Sequence, residues 1–190
     1  LSSEGRKENP DILSKRFKND KLVKIMNLDM DNPLPLQEKF EIGYCCGILY
    51  HLSDPQGALK YLSDHTTEVL LLETCVSYFN ENTINICPED RLSYSQSIHG
   101  WGCRPVRKWL YNQLKDYFDY VYMPLTQPDH VEFPLNWTQR NYDGKLSRAL
   151  FIASRNKINS DILCENIPYV QVKNETVIGD GLWHETISFP

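Results

Sequence analysis

Two hydrophobic periods alternate along the chain. Phe40 to Cys46 is apolar or small at every position but Glu41, which reads as a strand buried on both faces of a parallel sheet. Val69 to Glu73 is a second apolar strand, ending in an acid, and Leu22 to Leu28 is another, with Asp29 at its carboxyl end. Tyr120 to Leu125 and Ala149 to Ser154 are two more, and Ile167 to Val172 is a weaker candidate. Between them the spacing turns helical. Asn9-Pro10 opens a helix to about Phe17, with Ile12, Leu13, Arg16 and Phe17 in phase. Asp54-Pro55 caps a helix to about Asp64, with Ala58, Leu59 and Leu62 inward. Pro105 opens a third, with Val106, Trp109, Leu110, Leu114 and Phe118 on one face.

Strands alternating with helices predict an α/β fold with a mostly parallel sheet. No helix separates the last two strong strands, so they are expected to pair antiparallel. Residues 76–104 and 126–147 are polar, aromatic and too long for plain connections, and read as insertions. One domain covers residues 1–155, with 156–190 as a tail or extension.

The site candidates gather where β-to-α connections fall. Gly47 lets another group approach the backbone, and Leu49, Tyr50 and His51 follow at a strand's carboxyl end. Open α/β sheets bind ligands at that end. An imidazole, with an ordinary pKa of about 6.5, suits proton removal; His51 could equally anchor the turn through a backbone carbonyl. His99, Trp101 and Arg104 precede a helix start, where an anionic acceptor would be welcome, or they form the small core of a loop. His130, Glu132 and Trp137 could wall an acceptor cleft, though a loop packed on its own aromatics is the simpler reading. His65 and His184 carry no pattern. No His, Cys and acid set has metal-ligand spacing, so no metal is expected.

Charge and composition narrow the classes. Among 190 residues the net charge is −5, with no block of Lys or Arg, so a nonspecific grip on nucleic acid or an anionic membrane is not suggested. No apolar run is long enough to span a bilayer and no signal peptide is visible. None of the six cysteines forms a C-x-x-C, so they read as reduced thiols of a cytoplasmic protein. Asn136-Trp-Thr and Asn174-Glu-Thr match the glycosylation pattern, a short match discounted without a secretory signal.

Taken in order, these segments resemble a class I S-adenosylmethionine-dependent methyltransferase from Leu1 to about Arg155. Leu1-Ser-Ser-Glu4 resembles the end of that fold's second strand, where an acid binds the cofactor ribose, and Glu4 matches it. Asn27-Leu-Asp29 resembles the end of the third strand, where an Asp reaches the adenine amino group. Phe40 to Tyr50 resembles the fourth strand and the turn beside the reactive methyl, which implies cofactor contacts at Gly47 and Leu49 and places Tyr50 and His51 as catalytic candidates. Beside this turn, the residues themselves offer His99, Trp101, Arg104 and His130 as candidate substrate contacts.

A closer resemblance is to the branch with the tRNA wobble-uridine carboxymethyltransferases. It rests on the Gly-x-Leu-Tyr-His turn at Gly47 to His51, on Glu73-Thr74, and on Pro88-Glu-Asp90-Arg91. In that branch the Tyr at the Tyr50 position helps hold the extra carboxylate of a carboxylated cofactor. Gly100 to Pro105 and Gln127 to Pro134 depart from it, which implies a different acceptor. The family's glycine-rich first loop is absent, and the fold would place it before Leu1. The chain also starts without Met, so an N-terminally incomplete domain is expected, one that binds cofactor weakly or not at all by itself. Val177-Ile-Gly179-Asp-Gly181 is a faint echo of the loop that a circular permutation would explain.

The leading expectation is therefore methyl transfer from S-adenosylmethionine to a small-molecule or glycan acceptor. Alternatives are a tRNA-modifying (carboxy)methyltransferase, a non-catalytic binding module on the same fold, and a nucleotide-sugar or nicotinamide enzyme. The oligomeric state is left open.

Overall fold

The structure is a computed structural model that describes residues 12–78, 81–93, 95–138 and 146–173. Glu4, the start of the first helix, His184 and the 177–181 glycine pair lie outside the described residues. In chain order the elements are β1 (Phe40–Cys46), a 3-10 turn (Leu49–His51), α1 (Pro55–His65), β2 (Thr66–Val76), β3 (Ile84–Pro88) and β4 (Trp101–Pro105). Then follow α2 (Arg107–Tyr117), β5 (Tyr120–Pro124), β6 (Thr126–Gln127), β7 (Ser147–Ser154), β8 (Leu163–Cys164) and β9 (Val172–Lys173). Residues 12–16 are also helical.

The main sheet has the order β1-β2-β7-β5-β8. β1 pairs parallel with β2, with Tyr44 opposite Leu71. β7 runs antiparallel to both β2 and β5. β1, β2 and β5 therefore share one direction, and β7 is inserted against them. The expected antiparallel pairing of the two late strands is what β5 and β7 form.

α1 and α2 cover one face of this sheet. Ala58, Leu59, Leu110 and Leu114 pack there on Cys45, Leu70, Leu72, Val121, Phe151 and Ala153. The cap reading holds in detail: Pro55 is the first residue of α1, and the Asp54 side chain accepts from Gly57 N at 3.0 Å. Asp54→Ala should lower stability by about 1 kcal/mol, the usual worth of such a cap, read from the urea midpoint. An unchanged midpoint would mean that Pro55 alone fixes the helix start.

Two expectations change. Leu22 to Leu28 forms no strand. It has no ladder partner among the described residues, and Leu22 is 96% exposed. β1 is buried on one face, not two. Cys45 lies in the core, but Ile42 and Tyr44 are 64% and 73% exposed, because no described element covers that side.

Both insertions have structure. Residues 76–104 contain the antiparallel β3–β4 hairpin, with Ile84 opposite Pro105. In the other, β6 pairs parallel with β9, and Asn136 bridges Val170. Residues after Ser154 return to the sheet, where β8 adds to β5. Among the described residues no helix is long and apolar enough to cross a membrane.

Candidate active site

The site is built at the carboxyl end of β1. Gly47 has φ +71°, a left-handed conformation that favours glycine. Its N–H donates to Glu73 Oε2 at 3.0 Å and to the Glu73 carbonyl at 3.2 Å, fastening the turn to the neighbouring strand. Leu49 is then fully buried, while Tyr50 and His51 are left part-exposed.

His51 Nδ1 lies 2.6 Å from Glu89 Oε2. Glu89 follows β3, and its side chain is only 3% exposed. The same carboxylate accepts from Ser97 N at 2.7 Å and pairs with Arg104 Nη2 at 3.3 Å. Burial alone would raise the Glu89 carboxyl pKa; the His51 and Ser97 hydrogen bonds and the nearby charges outweigh it and bring it below the usual value. Gly102 on β4 makes the approach possible. A Cβ there would sit 2.5 Å from both Glu89 Oε1 and the Tyr50 carbonyl.

Tyr50 packs on His51, with ring centroids 4.1 Å apart. Two guanidinium groups also face its ring: Arg104 at 5.0 Å and Arg148 at 5.2 Å from the centroid. Arg104 Nη1 donates to the Tyr50 carbonyl at 2.8 Å. Arg148, on β7, donates to Tyr50 Oη at 3.3 Å, to Glu73 Oε1 at 2.8 Å and to Glu132 Oε2 at 2.5 Å. Desolvation opposes the Arg148 charge, but the hydrogen bonds to Glu73, Tyr50 and Glu132 more than compensate and raise its pKa.

The second half of the arrangement surrounds Asp29. A cavity of about 430 Å³ is lined by Asn27, Leu28, Asp29, Asn32, Leu34 and Ile98. His99 Nε2 reaches Asp29 Oδ2 at 2.9 Å, so the insertion closes over the loop that carries Asp29. Asp31 Oδ1 accepts from Ser53 N and Asp54 N at 2.7 and 2.8 Å, tying that loop to the start of α1. Asp29, Asp31 and His99 each bring a ligand atom within 4.8 Å of the others, a grouping that sequence spacing hides. Asp31 already serves two amides there.

The structure thus brings Tyr50, His51 and Arg104 together, with Leu49 and Gly47 beneath them. His99 lies instead beside Asp29. Trp101 begins β4 and is 52% exposed. His130 sits in the 128–138 loop, where its Nδ1 accepts from Glu132 N at 3.3 Å and its ring meets Phe133 edge-on. Sequence reasoning gave Glu89 and Arg148 no role. Arg148 had a signal, a lone cation at the start of an apolar strand, whereas Glu89 is one acid in an acidic turn. All six cysteines are free thiols. Burial pushes Cys45 and Cys103 up to about 12 and Cys75 up to about 11, which suits inert packing groups.

No protein-family model matches the chain, and no curated protein matches it significantly. Solved structures do match. The N-terminal domain of EvdMO1, crystallised in the presence of SAH and D-fucose, is similar with a TM-score of 0.54 and 14% identity over 76% of this chain. The same domain with SAH bound gives a TM-score of 0.55, also at 14% identity and 76% coverage. The chain spans 59% and 58% of those two solved chains. The likeness establishes the fold, an α/β sheet of the methyltransferase type.

Proposed function

We propose that this chain belongs to a methyltransferase that uses S-adenosylmethionine to methylate a hydroxyl of a small-molecule or glycan acceptor. The observation that carries the reading is the His51–Glu89 pair at the carboxyl end of β1, on a fold shared with an SAH-bound domain. D-fucose accompanying that neighbour supports a sugar as the acceptor.

The residues present fit the cofactor at the nucleoside end. The Asp29 cavity offers apolar walls from Leu28, Leu34 and Ile98, with a carboxylate and two amides at its rim. Asp29 would hold the adenine, Glu4 the ribose, and the Gly47–Leu49 turn would flank the methyl group. S-adenosylmethionine supplies a methyl group on a sulfonium sulfur, open to in-line displacement.

His51 takes the proton from the acceptor hydroxyl as the new O–C bond forms. Glu89 accepts from Nδ1–H, which fixes the tautomer and leaves Nε2 as the base. Arg104 keeps Glu89 in place, and Tyr50 walls the reacting centre. The 128–138 loop, anchored by the Glu132–Arg148 pair, helps exclude water from the acceptor side.

A second reading follows from Tyr50. Its two flanking guanidinium groups, Arg104 and Arg148, would suit a carboxylated cofactor and a tRNA acceptor.

Calorimetric titration of the full-length protein with S-adenosylhomocysteine tests the assignment. Binding is expected, weakened by about 1–3 kcal/mol in Glu4→Ala, the range for stranding a buried polar partner. No heat from folded protein would overturn the cofactor reading and favour a non-catalytic module.

A further inference from the structure

A single short segment joins the two halves of the candidate site. His99 Nε2 reaches Asp29 Oδ2 at 2.9 Å, and Ile98 beside it lines the Asp29 cavity. One residue earlier, Ser97 N donates to Glu89 Oε2 at 2.7 Å, the same oxygen that lies 2.6 Å from His51 Nδ1. Glu89 N in turn donates to the Gly100 carbonyl at 2.9 Å. Ser97 to Gly100 therefore touch the cavity through Ile98 and His99, and hold Glu89 through Ser97 and Gly100.

Local bonds make this segment a compact turn. Gly100 N donates to the Ser97 carbonyl and His99 N to Ser97 Oγ, both at 3.3 Å. Gly100 has φ +80°, a left-handed conformation that a side chain would strain, and it turns the chain from His99 into β4. Ser97 is 3% exposed, so little water can replace Glu89 as the acceptor of its amide, and losing that bond is costly. On the opposite side the His99–Asp29 pair fixes the turn. Asp29 is itself set in its loop, its Oδ1 accepting from Asp31 N at 3.1 Å, and Asp31 is bound to the start of α1. The His99 and Asp29 side chains are part-exposed, so cutting this pair strands no fully buried charge.

We infer that His99 is a positioning residue for the base. Docked on Asp29, it holds the Ser97–Gly100 turn in the place from which the Ser97 amide aims the Glu89 carboxylate at His51. One short segment then sets both the wall of the nucleoside cavity and the orientation of the imidazole. A cofactor seated against Ile98 and Asp29 thereby steadies the group that acts on the acceptor. This role deepens the proposed function and rests on it for the ligand of the cavity and for the task of His51.

Amide hydrogen exchange of the full-length protein, followed by NMR at fixed pH without ligand, tests this. Ser97 N–H should exchange about tenfold faster or more in His99→Ala, the fold-change for loosening a hydrogen bond to a charged group. Position 99 is not a neighbour of that amide, so its intrinsic rate is unaltered. The His51 ring signals should move toward those of Glu89→Gln. His99→Gln keeps a donor for Asp29 and should recover part of both properties. An unchanged Ser97 rate, unmoved His51 ring signals, or a His99→Gln protein that matches His99→Ala overturns the inference. The β2 amides control for folding: a comparable acceleration there would make His99 a determinant of global stability and also overturns it. S-adenosylhomocysteine tests the link to the cofactor. Once calorimetry shows it bound, it should slow Ser97 exchange in the native chain, and binding that leaves the rate unchanged overturns the link. Absence of binding counts against the cofactor reading, whereas the ligand-free comparison decides the role of His99, so the two fail separately.

Discussion

His51→Ala should lower kcat/KM by about 10²- to 10⁴-fold, the usual contribution of a positioned general base. Affinity for S-adenosylhomocysteine should stay unchanged, because the proposed mechanism gives His51 the acceptor proton and no cofactor contact. Glu89→Gln should lose part of the same activity, since a carboxamide can still orient Nδ1 but cannot stabilise the imidazolium. Steady-state kinetics beside calorimetry reads both. Equal losses of activity and cofactor affinity in His51→Ala would make His51 an anchor of the turn and not the base. Glu89 also sets an acid limb. Its carboxyl pKa is lowered on folding, so the folded state binds fewer protons than the unfolded chain. The stability this provides is present above the ordinary carboxyl pKa of about 4.3 and is lost as pH falls through the folded value. Thermal melts across acidic pH should show a shallower loss in Glu89→Gln than in the native chain.

Arg148→Ala should destabilise the fold by about 3 kcal/mol, the lower end of the range for removing one partner of a buried pair. The loss strands two carboxylates together, Glu73 at 13% and Glu132 at 27% side-chain exposure. It also frees one face of Tyr50 and loosens the carboxylate that holds Gly47 N–H. Urea unfolding measures the stability loss, and activity should fall with it. A change below about 1 kcal/mol, the worth of a solvent-screened pair, would show that water already weakens this network. Arg148→Lys should recover only part of either property, because a single ammonium cannot serve Glu73, Glu132 and Tyr50 in three directions.

Both effects depend on residues brought from far apart in the chain. His51 and Glu89 are 38 positions apart, and Tyr50 and Arg148 are 98 apart. Hydrophobic periodicity marked α1, β2, β5 and β7 to within a few residues, because these elements bury apolar faces and side-chain spacing records burial. It failed at Leu22 to Leu28, where β-branched and apolar residues have no ladder partner among the described residues. It also overstated the burial of β1, since apolar composition shows what a strand can bury and not what arrives to cover it. The β3–β4 hairpin was hidden as well, because its short strands are mixed in polarity and flanked by turn residues.

Local sequence specifies α1, β1, β2, β5 and β7 and the residues at their ends. Asp54-Pro55 set the start of α1, Gly47 set the left-handed turn, and the run that follows placed Tyr50 and His51 at the end of β1. These are properties of neighbouring residues, written in local conformational preference and hydrophobic spacing. The tertiary structure alone decided what meets them. Docking of the hairpin puts Glu89 against His51 and sends His99 to Asp29, which sequence order had assigned to the acceptor. Placing β7 between β2 and β5 delivers Arg148 to Tyr50 and leaves Arg107 buried against Ser147 and the Arg148 carbonyl. Such meetings depend on the packing of whole elements, and no local pattern encodes which distant charge will face a given side chain.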